Sequence, residues 1–178
     1  MAGMKSKLAA ARRSVVGQAV LVVLGVALLA ACSWIDVPMY PVPMTLQSFA
    51  VLLVGFVYGP WLGLVTVLAW LGATALGLPL LSGGAAGLTP FTGRTAGYIA
   101  AFPIVAWLAG HLSRRHGGFV RLGVIGIIGH AVLLAMGVAW LAQSIGWAKA
   151  WQFGAQPFLA GMLVKSLLAA LGARLAGK

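Results

Sequence analysis

The sequence predicts an all-α, polytopic membrane protein, with six transmembrane helices, both termini cytoplasmic, and one integral membrane domain over residues 1–178. Of its 178 residues, 62% are hydrophobic and 7% charged, with mean hydropathy +1.04. A soluble domain of this length needs more polar surface than that. From Val37 to Gly93 there is no charged residue, a stretch long enough for two spans and their connections. The basic residues cluster at Lys5, Lys7, Arg12 and Arg13, at Arg114, Arg115 and Arg121, and at Arg174 and Lys178. That spacing matches cytoplasmic anchors under the positive-inside rule. The net charge of +11 therefore points to membrane topology, and no nucleic-acid partner is expected.

Residues 1–13 form a basic cytoplasmic arm, followed by span 1 at Val15–Ser33. Leu29-Ala30-Ala31-Cys32 imitates a lipoprotein signal, but further apolar sequence follows, so an uncleaved span is expected. The single cysteine allows no internal disulfide. Trp34 sits at an interface, and Pro38, Pro41 and Pro43 force an extended external connection. Thr45 can cap span 2, Leu46–Val57, which is short for a hydrocarbon core of about 30 Å. Tyr58-Gly59-Pro60 turns the chain into span 3, Trp61–Leu78, which Pro79 closes.

Residues 80–93 read as a glycine-rich external loop, and span 4 follows at Arg94–Leu112. Ser113–Phe119 is a cytoplasmic loop before span 5 at Val120–Ala142. Gln143–Gln156, with Trp147, Lys149 and Trp151, is external and interfacial. Span 6, Pro157–Leu175, opens on a proline that a first helical turn tolerates. Glycines, 25 in all, suit close helix approach.

Lys165 is the odd residue in this scheme. It lies inside span 6, roughly 12 Å below the external end at about 1.5 Å per residue. An ammonium at helix centre costs about 2.5–3.5 kcal/mol, and Asp36 is the only acidic residue in the chain. A ligand carboxylate or phosphate is the expected counter-charge; snorkelling or a neutral amine is the alternative. Pro38–Gln47, Ser82–Thr95 and Lys165 share the external half, as a capture site for an external solute would require.

Thr45 and Gln47 either face a cavity or serve as a cap and a backbone partner. Ser82, Gly83 and Gly84 bring bare backbone N–H groups near an anion or form a flexible connector. Arg94, Thr95 and Tyr98 open span 4, where Arg94 attracts anions or anchors the interface. His111, His116 and His130 are scattered, so no metal site is expected; His130 reads as a helix–helix hydrogen-bond partner. Trp70 and Trp107 read as packing residues. Ala27 and Ala31 form a small-xxx-small pair through which another helix approaches span 1. One carboxylate excludes paired-carboxylate catalysis and disfavours a Ser-His-Asp triad, so no catalytic residue and no cofactor are expected. No Walker motif is present. A lipid-modifying enzyme and a structural membrane protein are the competing classes.

Several blocks resemble the BioY family: Pro41-Val42-Pro43-Met44-Thr45-Leu46-Gln47-Ser48-Phe49, Tyr58-Gly59-Pro60-Trp61-Leu62-Gly63, Ser82-Gly83-Gly84, Thr92-Gly93-Arg94-Thr95-Ala96-Gly97-Tyr98, and Pro157-Phe158-Leu159 with Lys165. The resemblance implies a non-enzymatic, high-affinity biotin-binding S component of an energy-coupling factor (ECF) transporter in the bacterial inner membrane. It implies a transmembrane coupling subunit and ABC ATPases as partners. A solo biotin transporter, or an S component for another vitamin, is the alternative. Membrane lipid and a homo-oligomer complete the expected partners. Biotin's carboxylate and ureido ring suit Lys165 with Gln47, Thr45, Ser82, Gly83, Gly84, Arg94, Thr95 and Tyr98. Where this chain has Met162, Ala160 and His130, the resemblance leads one to expect Asp, Pro and a nearby Asn.

Overall fold

Uncharged runs dictate the helices. A computed structural model describes residues 10–114 and 118–178, so Lys5, Lys7, Arg115 and His116 of the expected basic clusters lie outside the described residues. Helix α1 spans Val15–Ser33, and the Ser14 side chain caps it by accepting from Gly17 N–H. The proline segment then forms a small hairpin, β1 at Asp36–Val37 and β2 at Met44–Thr45, antiparallel, with Asp36 opposite Thr45 and Val37 opposite Met44. The extended connection expected here is thus paired at its two ends.

Helix α2 runs Gln47–Tyr58 and α3 runs Pro60–Ala75, joined at Gly59, whose φ of 82° lets the chain reverse in one residue. Helix α3 stops before the expected Leu78. Gly77, at φ 105°, turns the chain, and the Thr74 carbonyl accepts from both Gly77 and Gly87 N–H. The glycine-rich loop holds a 3₁₀ turn at Ser82–Gly84 and a short helix α4 at Thr89–Thr92. Helix α5 begins at Ala96, not Arg94, and ends at Leu112. Helix α6 runs Phe119–Ile145, past the expected Ala142, until Gly146. The segment read as interfacial connection contains a helix, α7, at Trp147–Gly154. Helix α8 covers Phe158–Leu175.

Three of these helices, α1, α6 and α8, are long and apolar enough to cross a membrane, and α2, α3 and α5 are shorter apolar helices. Helix α2 is the axis of the bundle, in contact with α1, α3, α5 and α8, while α5 packs on α2, α3 and α6. Most of α2 is accordingly buried, including Val51, Leu52, Val54 and Phe56. Helices α1 and α8 instead leave wide apolar faces uncovered, with Val20, Val23 and Leu24 on one and Leu163, Val164 and Leu167 on the other. Apolar surface of this extent requires lipid as solvent.

Close helix approach rests on glycine at particular points. A Cβ on Gly110 would meet the backbone of Gly59 and Pro60, and one on Gly55 would meet the Ala106 carbonyl. Backbone cannot move aside as a side chain can. Gly72, by contrast, faces open space. Gly110→Val is expected to cost about 1–3 kcal/mol through overpacking, whereas Gly72→Ala leaves stability unchanged or higher; thermal unfolding of the two detergent-solubilised variants checks this ordering.

Candidate functional site

The end of the bundle carrying the hairpin also carries the glycine-rich loop and the α7–α8 corner, and hydrogen bonds tie these pieces together. Ser82 Oγ donates to the Asp36 carboxylate, joining glycine loop to hairpin. Trp70 Nε1 donates to Leu80 O at 3.1 Å and Trp140 Nε1 to Gly93 O at 2.9 Å, so the two ends of the loop are held by α3 and α6. Tyr98 Oη donates to Gly154 O at 2.8 Å, pinning α5 to the end of α7. Beneath these covers lies a cavity of about 180 Å³.

Its polar lining comes from Thr45, Gln47, Ser48, Ser82, Thr95 and Lys165, with the ring of Tyr98 beside them. Apolar walls come from Val42 and Pro43 of the hairpin, Leu81 and Ala85 of the loop, and Phe102, Leu133 and Phe158 of the helices. Lys165 retains only 8% exposure, and its Nζ donates to the Thr45 carbonyl at 2.7 Å. An ammonium has three donors, and one of them is used by this backbone carbonyl. Thr45 is not the helix cap expected of it: the N-cap position falls on Leu46, which has no side-chain cap, and Thr45 Oγ1 instead accepts from Gln47 N–H at 3.2 Å in a local turn. Asp36, accepting from Ser82, stands in the hairpin at the cavity's cover. Met162, where an acidic residue was the expected norm, packs partly buried against the hydrophobic core.

Six of the residues singled out from sequence line this one cavity: Thr45, Gln47, Ser82, Thr95, Tyr98 and Lys165. Gly83 and Gly84 are not among its lining residues. Gly84 lies under the Trp34 ring and Gly83 faces open space, both at positive φ. Arg94 lies over the Tyr40 ring, 5.0 Å from its centroid, and donates to the Tyr40 hydroxyl. It lines a separate pocket with Lys149 and Phe153. Ala27 and Ala31 fall on the exposed face of α1, away from the cavity. Trp70 packs on Phe102 with ring centroids 5.7 Å apart, and Trp107 stacks on His111, so both are packing residues.

Sequence reasoning passed over Ser48 and the apolar walls. Ser48 follows Gln47 on the first turn of α2, and that adjacency was its only signal; Phe102, Leu133 and Phe158 look like any other core residue. Beside the cavity, His130 bridges three helices, as the expectation of a helix–helix partner required. Its Nδ1 lies 3.1 Å from Gly126 O and 3.0 Å from Ser166 Oγ, and its Nε2 lies 3.0 Å from Ser48 Oγ. A carbonyl only accepts, so in the neutral ring Nδ1 carries the proton and Nε2 accepts from Ser48. No carboxylate backs this ring, so the Ser48–His130 pair lacks the acid of a hydrolytic triad.

Fold and site define a helical integral membrane protein with a cation-lined pocket at one end of its bundle. The chain belongs to the BioY family, whose model matches residues 4–178. It is 41% identical over 151 residues to a probable biotin transporter BioY of Pyrococcus horikoshii, covering 85% of this chain and 90% of that one. It is 38% identical over 144 residues to the biotin transporter BioY of Rhizobium etli, covering 74% and 75%. A crystal structure of the S-component for biotin from an ECF-type ABC transporter shares the fold, with TM-score 0.80 at 24% identity over 92% of each chain. The relatives named here are transporters.

His130→Phe is expected to destabilise the bundle by about 1–3 kcal/mol, because Ser48 and Ser166 lose their shared partner in an apolar interior; thermal unfolding against the parent chain measures it.

Proposed function

We propose that this protein binds biotin with high affinity and carries it across the cytoplasmic membrane as the substrate-specific S component of an ECF-type ABC transporter. The observation that supports this reading best is a cavity that combines one buried cation, Lys165, with neutral hydrogen-bonding groups and apolar walls. Biotin pairs a carboxylate and a ureido group with an apolar bicycle and chain, so each part of the ligand has a matching part of the wall. The ligand would supply acceptors for the ammonium donors that Thr45 leaves open. Gln47, Thr45, Ser48, Ser82 and Thr95 would orient it, and the Tyr98 ring would pack beside it. Gly83 and Gly84 would act through the conformation of the covering loop, and Arg94 by drawing the anion toward that cover. The name of the Rhizobium etli relative and the S-component for biotin with the same fold favour the same ligand.

In this reading all six apolar helices span the membrane, with the hairpin, glycine loop and α7 external and both termini cytoplasmic. The basic ends, Arg12 and Arg13 with Arg114, Arg121, Arg174 and Lys178, favour this orientation. Release inward would follow a tilt of the bundle driven by a transmembrane coupling subunit and two ABC ATPases. Ala27 and Ala31 on the open face of α1 would let a helix of the coupling subunit approach.

Titration calorimetry with biotin checks the ligand, and no saturable binding below the millimolar range overturns the reading. Lys165→Met is expected to weaken biotin about 10–100-fold, the worth of a charge-assisted hydrogen bond, and unchanged affinity removes Lys165 from the site. For topology, single cysteines on a Cys32→Ser background are the test. Thr89→Cys is expected to react with an impermeant thiol reagent added outside intact cells, and Lys178→Cys only after lysis; the reverse pattern inverts the orientation.

A further inference from the structure

At the opposite end of the bundle, away from the ligand cavity, α1 meets α3 closely only part of the way along. Gly25 permits the contact: a Cβ there would meet Thr66 and the Tyr58 ring. Beyond it, toward the N-terminal end of α1, a second cavity of about 600 Å³ opens. Val15, Ala19 and Val22 line one wall at helical spacing, and Trp61, Leu62 and Val65 of α3 line the other. Arg12 and Arg114 line the same cavity, with Tyr58 beside them. It is therefore a largely apolar groove with two guanidinium groups in its lining.

The basic residues of this end divide by what they do. Arg121 Nη2 donates to Leu112 O at 3.2 Å and Lys178 Nζ to Ser113 O at 3.1 Å, so both close the C-terminal turn of α5. Arg174 donates to Lys178 O. Arg12 differs: among the described residues, its Nε is the one buried side-chain polar atom without a hydrogen-bond partner. A buried donor on a cation is costly when unmet. The one acidic side chain, Asp36, lies in the hairpin at the other end, so no acidic side chain faces Arg12. Burial first, and then the nearby Arg12, lower the Lys178 pKa from its ordinary value, so the two cations lie close together.

We propose that the α1–α3 groove is a binding site for an anionic glycerophospholipid, its phosphate held by Arg12 and Arg114 and one acyl chain laid between α1 and α3. Guanidinium groups match a phosphate in geometry as well as charge. Val15, Ala19, Val22 and Val65 offer hydrocarbon to hydrocarbon. Membrane lipid reaches the groove laterally, because Val15 and Ala19 are exposed on the bundle's flank. Basic pockets between helices at the cytoplasmic face are where anionic lipid headgroups bind. The site lies outside the biotin pocket and stands or falls independently of that ligand.

The test uses the detergent-solubilised full chain with phosphatidylglycerol, phosphatidylcholine of the same acyl chains, and soluble glycerophosphate as probes, read by native mass spectrometry and thermal unfolding. Phosphatidylglycerol is expected to bind roughly tenfold tighter than phosphatidylcholine, from two cations near one phosphate. Arg12→Gln/Arg114→Gln should erase that preference, while Arg121→Gln/Arg174→Gln keeps it. Ala19→Trp, which fills the groove and spares both arginines, should weaken phosphatidylglycerol as well. Equal binding of the two lipids to the parent chain overturns the proposal, and so does a preference that survives in Arg12→Gln/Arg114→Gln or Ala19→Trp. Glycerophosphate competing as well as the whole lipid also overturns it, by reducing the site to a phosphate contact.

Discussion

A buried ammonium in a chain with one carboxylate is the constraint on which the site depends. Lys165 sits on α8, among residues whose neighbours face hydrocarbon, and an ion pair within the core is not open to it. The carbonyl of Thr45 takes its place at 2.7 Å. That oxygen is in reach because Thr45 precedes the first residue of α2 and ends the hairpin. A regular helix would have committed its carbonyls to its own ladder. The three prolines of the connection keep it non-helical, so the irregular segment and the lysine are two halves of one arrangement. A carbonyl dipole offsets a full charge only in part. Under the proposed function, what it leaves unmet is the attraction that an acceptor-bearing ligand would meet on entering the cavity.

The rest of the bundle keeps that arrangement in register. Near the termini the helices touch backbone to backbone, at Gly55 with Ala106 and at Gly110 with Gly59–Pro60. Toward the hairpin, Gly97 still lets α5 approach the Met136 carbonyl of α6, and side chains tie in the loops and α7: Tyr98 reaches Gly154, Trp140 reaches Gly93, and Trp70 reaches Leu80. Tyr98 and Trp70 bury their rings while Trp140 stays partly exposed, and each spends its single polar hydrogen on a backbone carbonyl. The cavity at this end lies beneath these ties. His130 joins α2, α6 and α8 beside it, which fixes Ser48 and the turn of α8 after Lys165 relative to each other.

Hydropathy and prolines made the helices legible in the sequence, and α1 has the limits read from it. The ends of other elements were less legible because glycines at positive φ set them. Gly77 stops α3 early and Gly146 lets α6 run late, and neither conformation leaves a mark in a hydropathy profile. Helix α7 escaped notice because Trp147 and Trp151 read as interfacial anchors, although Ala150 and Gly154, also four apart, are its buried face. Lys165, Gln47 and Thr45 stood out as polar groups in an apolar chain, and they share one cavity. The neighbouring pocket of Arg94 could not be read, since the turn at Gly93–Thr95 decides which way the guanidinium points. Phe102 and Leu133 were illegible as cavity walls for a different reason: an apolar wall and an apolar core have the same composition.

Charge balance extends the same reasoning to the whole chain. Twelve basic residues face one acid, and the acid is engaged by Ser82. Arg94 resolves its charge locally, on the ring and hydroxyl of Tyr40. Arg121, Arg174 and Lys178 resolve theirs on helix-end carbonyls, where the macrodipole favours cations. Among the described residues, Lys165 and Arg12 are cations with buried groups whose surroundings fall short, one at each end of the bundle and each lining a cavity. A fold that carries almost no anions of its own leaves such positions to molecules that bring one. At the hairpin end that molecule would enter the pocket under the loops and be released; along the flank it would come from the membrane itself and stay.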